Sequence, residues 1–253
     1  MASRCGGNSW RYGAGCSSAW LEHCVRDAGV AGSNPVTPTI PQAFIRFEAG
    51  RTLTLALLII AGYLCGSIPV GVIVGHLCGF DPRTVGSGNI GMTNVARAGG
   101  RGAAALTFAG DFLKGLIPIL AAQAIPRTAG PALAAVGLAA FVGSIASIFL
   151  GFHGGRGVST SLGVWIGLAP APVGISILVF ILVLAGVRIV SLASLCAAIA
   201  LPLAVVALGY PLPYILLAVV MSVLVMLRHK ENIGRLLRGE EPKIGTAKKT
   251  PPA

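Results

Sequence analysis

The sequence predicts an all-α integral membrane protein: a compact bundle of about seven short transmembrane helices, N-terminus outside and C-terminus cytoplasmic. Three observations carry that prediction. Of 253 residues, 55% are hydrophobic and only 11% charged, against about 25% charged in soluble chains, which excludes an ordinary water-soluble enzyme. The apolar residues gather into long runs, and mean hydropathy is +0.82. The charges sum to +11, from 19 Lys and Arg against 8 Asp and Glu, and the basic ones cluster in alternate connections between the runs, as cytoplasmic loops do.

Taken in order, residues 1–52 are polar, mixed and without helical periodicity. They lack the basic start, apolar middle and cleavage site of an export signal. Gly32-Ser33-Asn34-Pro35 is what the T-arm consensus of a tRNA gene spells in one reading frame. The segment is therefore expected to be an upstream extension, with translation starting near Leu53; the alternative is a genuine, disordered cytoplasmic tail. Residues 53–245 form the expected membrane domain, and 246–253 a disordered basic tail.

From Leu53 the apolar runs are 53–78, 103–124, 131–150, 158–169, 171–187, 189–208 and 213–227. Several fall short of the ~20 residues that cross a bilayer core, which implies short, broken or oblique helices. The 158–169 run could merge with the next through Ala169-Pro170-Ala171-Pro172, and redrawing the last two as well leaves five spans. Pro69, Pro118 and Pro202 are tolerable kinks where neighbouring helices repair the lost backbone bond.

Arg83, Arg97 and Arg101, then Arg156, then Arg188, then the seven Lys or Arg after Leu227 all fall on one side of a seven-span chain. The opposite connections hold only Arg127, which places the C-terminus in the cytoplasm. Arg46 and Arg51 then lie on the wrong side, a conflict that vanishes if the extension is not made. No block of basic charge reads as a nucleic-acid footprint. The six cysteines have no CxxC spacing, so neither a disulfide framework nor a zinc site is expected, and no cofactor fingerprint is present.

Three basic-side segments carry chemistry. In Gly86-Ser87-Gly88-Asn89-Ile90-Gly91-Met92-Thr93-Asn94-Val95-Ala96-Arg97-Ala98-Gly99-Gly100, glycines allow backbone N–H groups to converge on an anion, with hydroxyl and amide donors and one guanidinium beside them. The alternative is a flexible connector, which seldom places two Asn, a Thr and an Arg among its glycines. Gly151-Phe152-His153-Gly154-Gly155-Arg156-Gly157-Val158-Ser159-Thr160-Ser161 puts glycines and a cation at a helix N-terminus, an anion site that lacks Walker A spacing. In Arg228-His229-Lys230-Glu231-Asn232-Ile233-Gly234-Arg235, His229, Asn232 and Arg235 share a face if the helix continues; a snorkelling anchor is the plainer reading. Asp111 and Lys114, three apart inside an apolar run, read as a structural ion pair or as electrostatic support for the site.

These motifs, their order and the Glu-Pro-Lys-Ile-Gly ending at 241–245 resemble the bacterial acyl-phosphate:glycerol-3-phosphate acyltransferases, the PlsY family, over about residues 53–245. The resemblance implies a multi-pass protein of the bacterial inner membrane with its active site facing the cytoplasm. Its reaction would transfer a fatty acyl chain from acyl phosphate to the 1-hydroxyl of sn-glycerol 3-phosphate, giving lysophosphatidic acid and phosphate, the first step of phospholipid biosynthesis. The partners implied are those two substrates, the bilayer and, as a candidate, a soluble acyl-phosphate synthase.

By the same resemblance Ser87, Arg97, His229 and Asn232 are the catalytic residues, and Gly86, Gly88, Asn89, Thr93, Asn94, Gly154, Gly155, Arg156, Gly157 and Glu231 bind substrate. The family's usual Lys is Arg156 here, a common preceding Lys is His153, and Met92 replaces a smaller residue. His229, with its ordinary pKa, suits a general base, whereas the family favours the substrate's own phosphate as proton acceptor and gives Ser87 a hydrogen-bonding role. Two other readings stand beside this one. His76 and Asp81 have the His-x4-Asp spacing of other glycerolipid acyltransferases, and a small anion transporter would also want glycines and cations, though near the bilayer midplane.

Overall fold

The computed structural model describes residues 42–126, 128 and 130–244. Most of the N-terminal extension, Arg127 and the end of the tail from residue 245 lie outside the described residues. Those described form nine α-helices and one short 3-10 turn, with no strand: α1 (Gln42–Ser67), α2 (Val70–Leu77), α3 (Met92–Gln123), α4 (Gly130–Ile145), α5 (Val158–Leu168), α6 (Pro170–Val187), α7 (Val190–Ala207), α8 (Leu212–Arg228) and α9 (Lys230–Leu237). The first helix starts at Gln42, ahead of the Leu53 boundary read from composition.

Five stretches are long and apolar enough to cross a membrane: Thr52–Leu77, Met92–Gln123, Gly130–Leu150, Pro170–Val187 and Val190–Ala207. A sixth is counted if α8 and α9, bent by 61°, are one span. The seven expected spans differ chiefly at α5. Its 11 residues rise only about 16 Å, roughly half a bilayer core. Nor does α5 merge with α6, because Ala169 is extended (φ −157) and Pro170 opens a new helix, where a missing N–H costs nothing.

Local chemistry sets the breaks. Pro69 disfavours helical geometry at the residue before it, and at the break the Ile68 carbonyl accepts from Val70 N at 3.0 Å and from Lys114 Nζ at 3.1 Å. The long α3 is interrupted at Gly100 (φ 77, ψ −171), a conformation open essentially to glycine. The segment read as a glycine-rich loop to Gly100 is therefore a tight turn to Gly91 followed by helix. Thr93, Asn94 and Arg97 sit in its first turns.

Small residues let the helices approach closely. On the α3–α5 seam a Cβ at Gly115 would overlap the Thr160 carbonyl, and one at Gly163 the Phe112 carbonyl. The α1–α4 seam uses Gly66 against Ala140 and Gly143 against Tyr63 in the same way, clasped by Tyr63 Oη donating to Ala146 O at 2.9 Å. Ile119, Val136, Phe141, Val164, Trp165, Val205 and Met221 fill the core. Leu178, Leu182, Leu203 and Leu216 stay exposed, as a lipid-facing surface requires.

The basic segments meet at one end of the bundle. Arg228 Nη2 donates to Gly154 O at 2.6 Å, Ile244 N donates to Arg188 O at 2.8 Å, and residues 86–97 share a cavity wall with 155–157.

Candidate active site

A cavity of about 1550 Å³ opens at that end. Its mouth is polar: Ser87, Asn89, Thr93, Asn94 and Arg97 from the first segment, Gly155, Arg156, Gly157, Ser159, Thr160 and Ser161 from the second, and His229, Asn232 and Arg235 from the third. Its depth is apolar. Helical stripes supply Phe108 from α3, Leu162 and Trp165 from α5, Val173, Ile177, Phe180 and Ile181 from α6, and Ala197, Ala198 and Leu201 from α7. Three segments far apart in sequence thus converge as expected. Gly86 also lines the wall; Gly88, Gly154 and Glu231 do not. Glu231 is exposed on α9 because the residue next to an inward Asn232 points about 100° away on a helix.

In the first segment, positive φ at Gly86 (62) and Gly88 (67) tightens the turn. Asn94, 2% exposed, staples it. Its Oδ1 accepts from Ser87 N at 2.9 Å, and its Nδ2 donates to Pro82 O and Val85 O. The Asn94 amide donors are thereby committed to the turn, so its expected substrate-binding role becomes support of the loop. Asn89 Oδ1 accepts from Gly91 N at 2.8 Å, a local side-chain turn that sets the chain just ahead of α3. Ser87 keeps its hydroxyl for the cavity.

Gly157, left-handed at φ 79, turns the second segment into α5, whose free N-terminal amides and dipole favour an anion. Arg156 stands there with a buried Nε that has no partner. Burial pushes its guanidinium pKa down; Glu241 opposes this, while Arg235 and Arg97 lower it further. Arg228, read as a possible bilayer anchor, instead holds this loop, with Nε also donating to Gly155 O at 3.2 Å.

The third segment bends at His229, so that His229, Asn232 and Arg235 keep one common face into the cavity. His229 is 1% exposed, with Nδ1 2.8 Å from Val225 O. A carbonyl can only accept, so Nδ1 carries the hydrogen and Nε2 is left as an acceptor. Burial pushes the His229 pKa down to about 4, against a smaller upward pull from the Val225 contact. This corrects the expectation of an ordinary imidazole poised near neutrality: the group is neutral at pH 7 and a weak base.

Sequence reasoning missed the group that organises this corner. Glu241, 6% exposed in its side chain, accepts from Ser191 Oγ at 2.7 Å, from Asn232 Nδ2, and from Arg235 Nε at 2.6 Å. Burial raises its pKa, but those three donors outweigh it and hold the carboxyl below its ordinary value. Only an NH2 can face a carboxylate, so Asn232 Oδ1 is fixed on the other side, buried and without a partner. The available signal was Glu241 itself, a carboxylate following a run of cations. Ser191 gave none. Lys114 Nζ and Asp111 Oδ1, 2.8 Å apart, also line the wall, next to Gly115, which packs on Thr160 at the mouth; they are the ion pair expected.

His76 and Asp81 do not form the alternative site. The Asp81 carboxylate is taken by Arg83, bidentate at 2.7–3.1 Å, which holds its pKa down to about 2. His76 is exposed and shares with Asp81 and Arg83 a small pocket that has no wall residue in common with the main cavity.

Helices too apolar for water, enclosing a cavity with a cationic mouth and a greasy interior, define an integral membrane enzyme. The sequence pattern of the family "Glycerol-3-phosphate acyltransferase" matches residues 56–239. The glycerol-3-phosphate acyltransferase of Rubrobacter xylanophilus is 50% identical over 192 residues, covering 75% of this chain and 94% of that one. That of Geobacter sulfurreducens is 45% identical over 185 residues, covering 73% and 95%. Among solved structures, the glycerol 3-phosphate form of PlsY (YgiH), an integral membrane glycerol 3-phosphate acyltransferase, superposes with a TM-score of 0.73 at 42% identity over 76% of this chain and 96% of that one. Its lysophosphatidic acid form gives 0.71 at 41%. The chain belongs to the glycerol-3-phosphate acyltransferase family and is an acyltransferase.

Proposed function

We propose that the protein transfers a fatty acyl group from acyl phosphate to the 1-hydroxyl of sn-glycerol 3-phosphate, forming lysophosphatidic acid and inorganic phosphate at the cytoplasmic face of the bacterial inner membrane. The observation that carries this reading is the polarity of one continuous cavity, cationic at the mouth and apolar at depth. It suits a phosphate joined to an acyl chain. The relatives named above are glycerol-3-phosphate acyltransferases, and the solved neighbour was obtained with glycerol 3-phosphate and with lysophosphatidic acid.

Two phosphate groups bring roughly 1.5 to 2 negative charges each. Arg97, Arg156 and the amides at the start of α5 supply the opposing field, with the Ser87 and Thr93 hydroxyls as neutral donors. The acceptors are elsewhere: His229 Nε2 and Asn232 Oδ1 suit the hydroxyl of glycerol phosphate. The hydroxyl oxygen attacks the acyl carbonyl carbon, the carbon–oxygen bond to the departing phosphate breaks, and the hydroxyl proton passes to a phosphate oxygen. With a pKa of about 4, His229 orients the nucleophile rather than retaining its proton. Phosphate leaves readily, so no acyl-enzyme is needed and Ser87 stays a hydrogen-bond donor.

Purified protein given palmitoyl phosphate should release phosphate only when glycerol 3-phosphate is present, and palmitoyl-CoA should give no lysophosphatidic acid. Turnover with palmitoyl-CoA, or phosphate release independent of glycerol 3-phosphate, would overturn the reading.

A further inference from the structure

The apolar part of the cavity has an end. On α5 the last residue on the wall is Trp165, about 10 Å of helix rise from Val158 at the anion site. On α7 it is Leu201, about 16 Å from Val190, and on α6 it is Val173, about 21 Å from Val187. Counting from the end where the basic segments meet, these three are the deepest lining residues of their helices. All are closed off from outside: Trp165 is 1% exposed, Val173 2% and Leu201 7%. The side wall differs, since Ile177 and Ile181 of α6 are exposed. Trp165 is held from behind by Tyr214, edge-on with ring centroids 6.4 Å apart, and its buried indole N–H has no acceptor.

We propose that Trp165, with Val173 and Leu201 the deepest apolar residues on the wall, is the floor that sets the length of acyl chain the enzyme accepts. The inference rests on the acyl-transfer reading of the cavity. A saturated chain anchored by its phosphate at the mouth runs down the apolar stripes until its terminal methyl meets the indole. A longer chain must buckle or leave through the side wall, losing the burial of its last carbons. Each methylene of a well-fitting chain is worth about a fourfold change in binding.

The test compares wild type, Trp165→Leu, Trp165→Phe and Val173→Phe on saturated acyl phosphates differing by two carbons, read as kcat/KM. In parallel, the thermal shift given by lysophosphatidic acids of the same chain lengths is measured, which needs no turnover. Trp165→Leu should favour the next longer chain over the wild-type optimum by about tenfold. Trp165→Phe should move the same way by less, and Val173→Phe should move towards shorter chains. Opposite shifts cannot come from a general loss of stability. Failure of wild type to use any acyl phosphate, with the chain-length shifts still present in lysophosphatidic acid binding, would overturn the donor and leave the floor standing. Identical chain-length profiles in all four proteins, or shifts in one direction only, would overturn the floor.

Discussion

Replacing Glu241 with Gln keeps the shape of the side chain and removes one acceptor. In the wild type, Oε2 takes Arg235, and Oε1 takes Ser191 and Asn232. A Gln amide has one carbonyl oxygen and one NH2, so one side of this arrangement must change. Pointing NH2 at the Arg235 guanidinium sets donor against cation, whereas pointing it at Ser191 and Asn232 meets a hydroxyl that can accept and an amide that can rotate. The expected response is therefore a flip of Asn232, which puts its NH2 where the buried, unpartnered Oδ1 now sits. A substrate hydroxyl would lose an acceptor and meet a donor, an unsatisfied contact of about 1–3 kcal/mol, or roughly 5- to 150-fold in kcat/KM. The assay is kcat/KM for glycerol 3-phosphate in wild type, Glu241→Gln, Asn232→Ala and the double variant. Because both changes act through one oxygen, Glu241→Gln should cost little further activity on the Asn232→Ala background. Full additivity, or a Glu241→Gln enzyme with unchanged kcat/KM, would refute the chain of reasoning from carboxylate to amide to hydroxyl.

Burial of neutral His229 makes stability depend on pH. Its folded pKa of about 4 lies below the ordinary 6.5, so the unfolded chain binds more protons between those values, and stability, complete above pH 6.5, falls towards pH 4 by about 3 kcal/mol. Thermal unfolding in detergent should show this slope, and His229→Gln should flatten it. Gly115→Ala drives a Cβ into the Thr160 carbonyl across the α3–α5 seam and should cost about 1–3 kcal/mol, whereas Gly174→Ala, with nothing within 4 Å, should be neutral or stabilising by up to ~1 kcal/mol; melting temperatures of the pair decide it. His76→Ala should leave the rate of lysophosphatidic acid formation unchanged, and Ser87→Ala should lower it.

Much of this architecture was legible because bilayer chemistry writes itself in composition. Runs of apolar residues marked helices α4, α6, α7 and α8 closely, and alternation of the basic connections anticipated that they gather at one end. The glycine-rich stretches located the cavity mouth, since amides can converge on an anion only where side chains leave room. What escaped has a common physical cause: it depends on distances between segments remote in sequence. Nothing near Ser191 indicates that Glu241, fifty residues on, accepts its hydroxyl. Arg228 looked like any cation at a helix end until Gly154 and Gly155 arrived beside it. The His229 pKa depends on the same distances, because an imidazole becomes a weak base only through burial by other helices. Asn94 shows the converse case: it lines the cavity and spends its polar atoms on holding the turn.

The balance of charge at the mouth explains how Glu241 can sit beside the proposed phosphate site. It is the partner of Arg235, at 2.6 Å, and so removes that cation from the pool available to substrate, while Arg97 and Arg156 have no ion-pair partner among the described residues. These cations repel one another: Arg235 and Arg97 both push the Arg156 pKa down. On the proposed function, a phosphate dianion bound there would relieve that repulsion while accepting hydrogen bonds, so part of its binding free energy would come from unfavourable electrostatics already in the protein. Replacing Glu241 by a residue with no acceptor, such as Ala, would release Arg235 towards the cavity and raise the field on any phosphate there, yet lose the Asn232 geometry proposed to receive the hydroxyl. Tight phosphate binding and productive placement of the nucleophile are thus set against each other at one carboxylate. The three-donor arrangement at Glu241 favours placement.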